Sequence, residues 1–127
     1  MTTIRDVMTP APIAVGPDHG LKRALELLIE HRISGLPVID AGGRILGVLS
    51  EKDLLKLFSE PSARSVGEVM TPGPVTIDVN GALVEVFDCL MANDFRRVLV
   101  EEDGKLAGVI SRSDLMPTIL SVLAERG

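Results

Sequence analysis

Val7-Met8-Thr9-Pro10-Ala11-Pro12-Ile13-Ala14-Val15 returns 62 residues later as Val69-Met70-Thr71-Pro72-Gly73-Pro74-Val75-Thr76-Ile77. This echo decides the fold, because self-similarity at a fixed offset marks a chain built from repeated units. Outward from it, Leu21 matches Leu83, Leu28 matches Leu90 and Val38 matches Val100. One residue is then lost in a loop. Beyond it Gly43 matches Gly104, and Gly47-Val48-Leu49-Ser50-Glu51-Lys52-Asp53-Leu54 matches Gly108-Val109-Ile110-Ser111-Arg112-Ser113-Asp114-Leu115. Residues 3–55 set against 65–116 give 14 identities in 52 pairs, so the repeat fills nearly all of the 127 residues. The expected division is a first copy over 1–58, a polar linker over 59–64 and a second copy over 65–127.

Each copy reads as β-α-β-β-α. Thr3-Ile4-Arg5-Asp6 and Ser65-Val66-Gly67-Glu68 are capping-box patterns that open a short helical turn. Pro10, Pro12, Pro72 and Pro74 end that turn and impose extended backbone, which predicts strands near 13–15 and 75–77. Leu21, Ala24, Leu25, Leu28 and Ile29 recur at helical spacing, as do Leu83, Val86, Phe87, Leu90 and Met91. Asp18 and Asn80 stand where the caps of those helices belong. A hairpin follows in each copy, turning through Ala41-Gly42-Gly43 and near Asp103-Gly104. A second helix starts at Ser50 and at Ser111. The fold class is α/β, with helices and short strands sharing an apolar layer. One copy of about 60 residues is marginal alone. Two copies packed about a pseudo-twofold axis share a core and leave two equivalent clefts, where ligands tend to sit.

The composition narrows the function. The apolar fraction is 46%, with no Trp or Tyr, so the core is aliphatic. A net charge of −5 argues against general nucleic-acid binding, which needs a basic surface. No apolar run reaches the length of a membrane span, and the N-terminus shows no signal-peptide pattern. A single cysteine, Cys89, excludes an internal disulfide and a cysteine-rich metal site, and it reads as a small buried or half-buried helical thiol in a reducing cytoplasm. His19 and His31 lie at opposite ends of one expected helix, too far apart to share a metal. Glu101-Glu102-Asp103 reads as a solvated loop. The chain has no nucleophile–base pair and no phosphate-binding glycine loop, so catalysis is not expected. Leu115, Ile119, Val122 and Leu123 share one face of the last helix, which either completes the core or supports a dimer contact.

Val-Met-Thr-Pro, the Leu36-Pro37-Val38-Ile39 strand and the closing Gly-x-x-Ser-x-x-Asp together resemble the cystathionine-β-synthase (CBS) domain. The second copy departs from the pattern only in carrying Leu99 where the first has Pro37. The resemblance implies a tandem CBS pair, a regulatory module without catalysis that often dimerises. It is similar to the regulatory portions of enzymes, channels and transporters. Its ligands in the family are mostly AMP, ADP, ATP and S-adenosylmethionine, and some members bind nothing.

The candidate residues read two ways. Ser50 with Asp53, and Ser111 with Asp114, are complete as helix caps. In the family the matching positions touch ribose, where a carboxylate accepts hydrogen bonds from the sugar hydroxyls. Gly47 and Gly108 would let a base approach the strand closely. Arg96 and Arg97 are either cations complementing a helix C-terminus or a pair of phosphate forks. The resemblance groups Val48, Ser50, Asp53, Pro74, Val75, Arg96 and Arg97 in one cleft. It groups Pro12, Ile13, Ser34, Lys52, Val109, Ser111 and Asp114 in the other. With two guanidiniums, the first is expected to be the better phosphate site. The competing expectation is a ligand-free dimerisation module whose acids only cap helices.

Overall fold

The computed structural model describes residues 2–59, 61–93 and 96–126. Its elements run α1 (Ile4–Val7), β1 (Thr9–Pro10), α2 (Leu21–His31), β2 (Gly35–Ile39), β3 (Ile45–Ser50), α3 (Glu51–Leu55), α4 (Val66–Val69), β4 (Thr71–Pro72), β5 (Thr76–Asp78), α5 (Leu83–Ala92), β6 (Arg97–Glu102), β7 (Lys105–Ser111) and α6 (Met116–Glu125). Short 3-10 turns follow α3 and precede α6. The α/β class and both repeated hairpins are as expected. No helix among the described residues is long and apolar enough to cross a membrane.

The chain forms two compact units: Ile13–Pro74, and Met1–Pro12 together with Val75–Gly127. These are not the two copies as written. Each copy's Val-Met-Thr-Pro segment is built into the sheet of the other copy. In the first unit β4 pairs antiparallel with β3, giving the order β2-β3-β4. In the second unit β1 pairs antiparallel with β7, giving β1-β7-β6-β5. The 1–58, 59–64, 65–127 division therefore describes the repeat in sequence, while the packing crosses it.

The capping boxes explain how each exchanged segment is fixed. Thr3 Oγ1 accepts the Asp6 N–H at 3.2 Å, and Asp6 Oδ2 accepts the Thr3 N–H at 2.8 Å. The single turn so nucleated presents Ile4 to the core of Val79, Val86, Leu90, Val98, Val100, Ile110 and Leu115, where Ile4 is fully buried. The Ser65 box does the same for Val66 and Val69 in the core of Val15, Leu21, Ala24, Leu28, Leu36, Val38 and Leu49.

Three local expectations need correction. The N-caps of α2 and α5 are Gly20 and Ala82, neither with a side-chain bond. Asp18 and Asn80 sit two residues too early, and the Asn80 N–H instead closes a turn on Asp78. The strand expected at 13–15 shrinks to Val15, bridged in parallel to Val38, because Pro12 and Gly16-Pro17 confine the extended run. The second copy keeps its strand as β5, parallel to β6. After Ser111, where a helix was expected to start, the chain makes a 3-10 turn and α6 begins only at Met116.

Candidate functional site

Asp53 is 3% exposed and is the buried charged residue among those described. The end of β3 delivers Ser50 to the N-cap of α3, which puts the Asp53 carboxylate three residues on and back over the cap. Asp53 Oδ2 accepts the Ser50 N–H and the Ser50 hydroxyl, both at 2.9 Å. Its Oδ1 accepts the Thr71 hydroxyl at 2.8 Å and the Lys56 ammonium at 3.3 Å. Burial pushes the carboxyl up, but the Ser50 N–H, the Thr71 and Ser50 hydroxyls and Lys56 outweigh it and hold Asp53 below the ordinary carboxylate range. Val48 stands two residues before Ser50, paired across the sheet with Pro37 and Thr71. The carbonyl of Ser34 accepts the Glu51 N–H at 3.0 Å, and Lys52 is exposed in the first turn of α3.

The other unit repeats the cap with different surroundings. Asp114 Oδ2 accepts the Ser111 N–H at 2.7 Å and the Ser111 hydroxyl at 3.0 Å. Arg97 lies directly across the β6–β7 ladder from Ser111. Burial lowers the pKa of the half-buried Arg97 guanidinium and the charge of Asp114 raises it, leaving it lowered overall. Arg96 is exposed, and its carbonyl accepts the Arg112 N–H at 3.2 Å. Val109 pairs with Thr9 and Leu99.

The groupings expected from the sequence each draw on both units. Ile13, Ser34, Val48, Ser50, Lys52, Asp53 and Pro74 lie in one unit; Pro12, Val75, Arg96, Arg97, Val109, Ser111 and Asp114 lie in the other. Within a unit the structure brings together Ser50 with Asp53, and Ser111 and Asp114 with Arg97. Ile13 and Val75 are exposed, and Pro12 and Pro74 half-buried, at the points where the chain leaves one unit for the other.

Two residues around Asp53 escaped the sequence reading, Thr71 and Lys56. The signal for Thr71 was present, since Thr9 and Thr71 repeat within Val-Met-Thr-Pro, but the motif read only as a turn. Gly47 and Gly108 also have a packing role. A Cβ on Gly47 would meet the Thr71 carbonyl at 2.6 Å, and one on Gly108 would meet Met8 Sδ at 2.6 Å and the Thr9 carbonyl at 2.9 Å. The exchanged Met-Thr packs against each glycine where a side chain would otherwise stand. A pocket of about 360 Å³ lined by Ala14–His19 and Ile39–Ala41 contains none of the expected binding residues.

The chain is similar to CBSX2, a chloroplastic CBS-domain protein of Arabidopsis thaliana, at 31% identity over 97% of this chain and 66% of that protein. A crystal structure of CBSX2 in complex with AMP superimposes with a TM-score of 0.86, at 35% identity, covering 96% of this chain and 98% of that one. Hypoxic response protein 1 of Mycobacterium tuberculosis is 28% identical over 91% of this chain and 83% of its own length. The chain spans 66% and 59% of the lengths of CBSX2 and the related CBSX1 of the same plant, less than two thirds of either. Two successive matches to the CBS domain, over 4–60 and 66–121, cover almost every residue, and the chain belongs to the CBS domain family as a tandem pair.

Proposed function

We propose that this CBS pair is a regulatory, non-catalytic sensor of adenosine nucleotides, with AMP, ADP, ATP and S-adenosylmethionine as the candidate ligands. The observation that carries the reading is the cluster of Ser111, Asp114 and Arg97. It sets a carboxylate that can accept ribose hydroxyls beside a half-buried guanidinium suited to phosphate. The AMP complex of the similar CBSX2 supports the ligand class. Asp53 is the carboxylate at the matching position of the first copy, Arg96 a second phosphate partner, and Lys52 a further cation. Pro12, Ile13, Ser34, Val48, Pro74, Val75 and Val109 supply flanking surface, with Ser50 and Ser111 setting the two acids.

The exposed apolar residues of α6 favour a homodimer, and a regulated enzyme or transporter would be the receiver of the signal. The half-buried Cys89 thiol suits a cytoplasmic setting.

Thermal melting tests the reading. A ligand that binds only the folded state at a hundredfold excess over Kd stabilises it by about 2.7 kcal/mol. AMP, ADP, ATP or S-adenosylmethionine should raise the midpoint by several degrees, and GMP by less. Melting curves unmoved by all four adenosine compounds would leave the acids as helix caps and the chain as a ligand-free dimerisation module.

A further inference from the structure

Asp53 and Asp114 hold matching places in the two copies but differ in bonding. An ionised carboxylate offers about four acceptor positions. Asp53 uses four: the Ser50 N–H and hydroxyl on Oδ2, and the Thr71 hydroxyl and Lys56 ammonium on Oδ1. Thr71 comes from the second copy's opening segment and reaches Asp53 because β4 pairs with β3 at Val48. Asp114 uses two, both from Ser111 and both on Oδ2. Among the described residues its Oδ1 accepts no hydrogen bond. Asp114 is also partly exposed, whereas Asp53 is 3% exposed.

A ribose presents two neighbouring hydroxyls as donors. Asp114 Oδ1 has room for both. Asp53 can take them only by releasing Thr71 and Lys56, and giving up bonds to a buried charge is costly. The arginine pair alone points to the Asp53 set as the better phosphate site; the bonding of the carboxylates points the other way. Resting on the nucleotide reading above, we propose that Asp114 is the open ribose acceptor, and that Thr71 and Lys56 latch Asp53 shut by standing in for the ribose hydroxyls. Thr71 is thus a positioning residue that decides how many nucleotides the chain takes up.

Calorimetric titration of the full chain with AMP tests this. The wild type should titrate one high-affinity site per chain. Asp114→Asn should weaken that site about tenfold or more, a larger loss than Asp53→Asn causes. Thr71→Val keeps the side chain's shape and removes its hydroxyl, so it should add a second site. Thr71→Ser, which keeps the donor, should restore one site; a merely structural role for Thr71 would not make the site count follow the hydroxyl. A larger loss from Asp53→Asn, or one site in Thr71→Val, overturns the proposal. If the wild type binds no AMP, the sensor reading fails, and the Thr71→Val/Lys56→Met double variant decides the latch separately. AMP binding that appears only there upholds it, and continued silence overturns it.

Discussion

Gly47 and Gly108 show how a single missing side chain admits a neighbouring strand. Both lie at matching points of their hairpins, but their neighbours differ. At Gly47 the first obstacle to a methyl group is the Thr71 backbone at 2.6 Å, which cannot move without unpairing β4. At Gly108 it is Met8 Sδ at 2.6 Å, the far end of a flexible side chain, with the Thr9 carbonyl behind at 2.9 Å. Overpacking of this kind costs about 1–3 kcal/mol. Gly47→Ala is expected near the top of that range and Gly108→Ala lower within it, read as the difference in denaturation midpoint. Equal losses would mean that both exchanged segments yield alike. At this scale the sequence was partly legible. The Ser-x-x-Asp caps form as read, because three-residue spacing is enough to specify them. The Thr71–Asp53 bond was not, because the two residues are 18 positions apart and meet only through strand pairing.

Short elements at the start of each copy behave as keystones. α1 is only four residues long, too short to persist alone, yet it carries Ile4 into a core whose other members all lie beyond residue 78. Ile4→Ala should therefore cost about 2–5 kcal/mol, despite its place at the chain's beginning. Ile29→Ala, on the exposed face of α2 at 67% exposure, should change stability by no more than about 0.5 kcal/mol. Chemical denaturation of the two variants checks the contrast. Helical spacing correctly gave α2 and α5, since Leu21, Ala24 and Leu28 are buried, as are Val86 and Leu90. It could not say which sheet α1 and α4 would join. A repeat in sequence fixes what each segment is, and leaves open which of two similar partners it takes.

For the whole molecule, α6 carries apolar surface that the chain leaves exposed. Leu115, just before it, is buried in the core, but Met116, Leu120 and Leu123 are 52%, 69% and 55% exposed. Large exposed apolar patches are common at contacts between chains, and closed twofold pairs are the commonest assemblies, so a homodimer is the expected state. Light scattering should give about twice the 13.6 kDa chain mass. Leu120→Glu combined with Leu123→Glu should return it to a single chain mass while far-ultraviolet circular dichroism stays unchanged. A wild type that remains at one chain mass at high concentration would reject the dimer.

The exchange of opening segments also sets a timetable. Thr9 pairs with Val109, 100 positions later, while Thr71 pairs with Val48, already made. At synthesis rates of about 5–20 residues per second, β1 waits roughly 5–20 s for β7 to be made. Until then Ile4 has no core to enter. The unit over 13–74 can close its sheet once residue 72 emerges, so β1, made before it, finds its place after it.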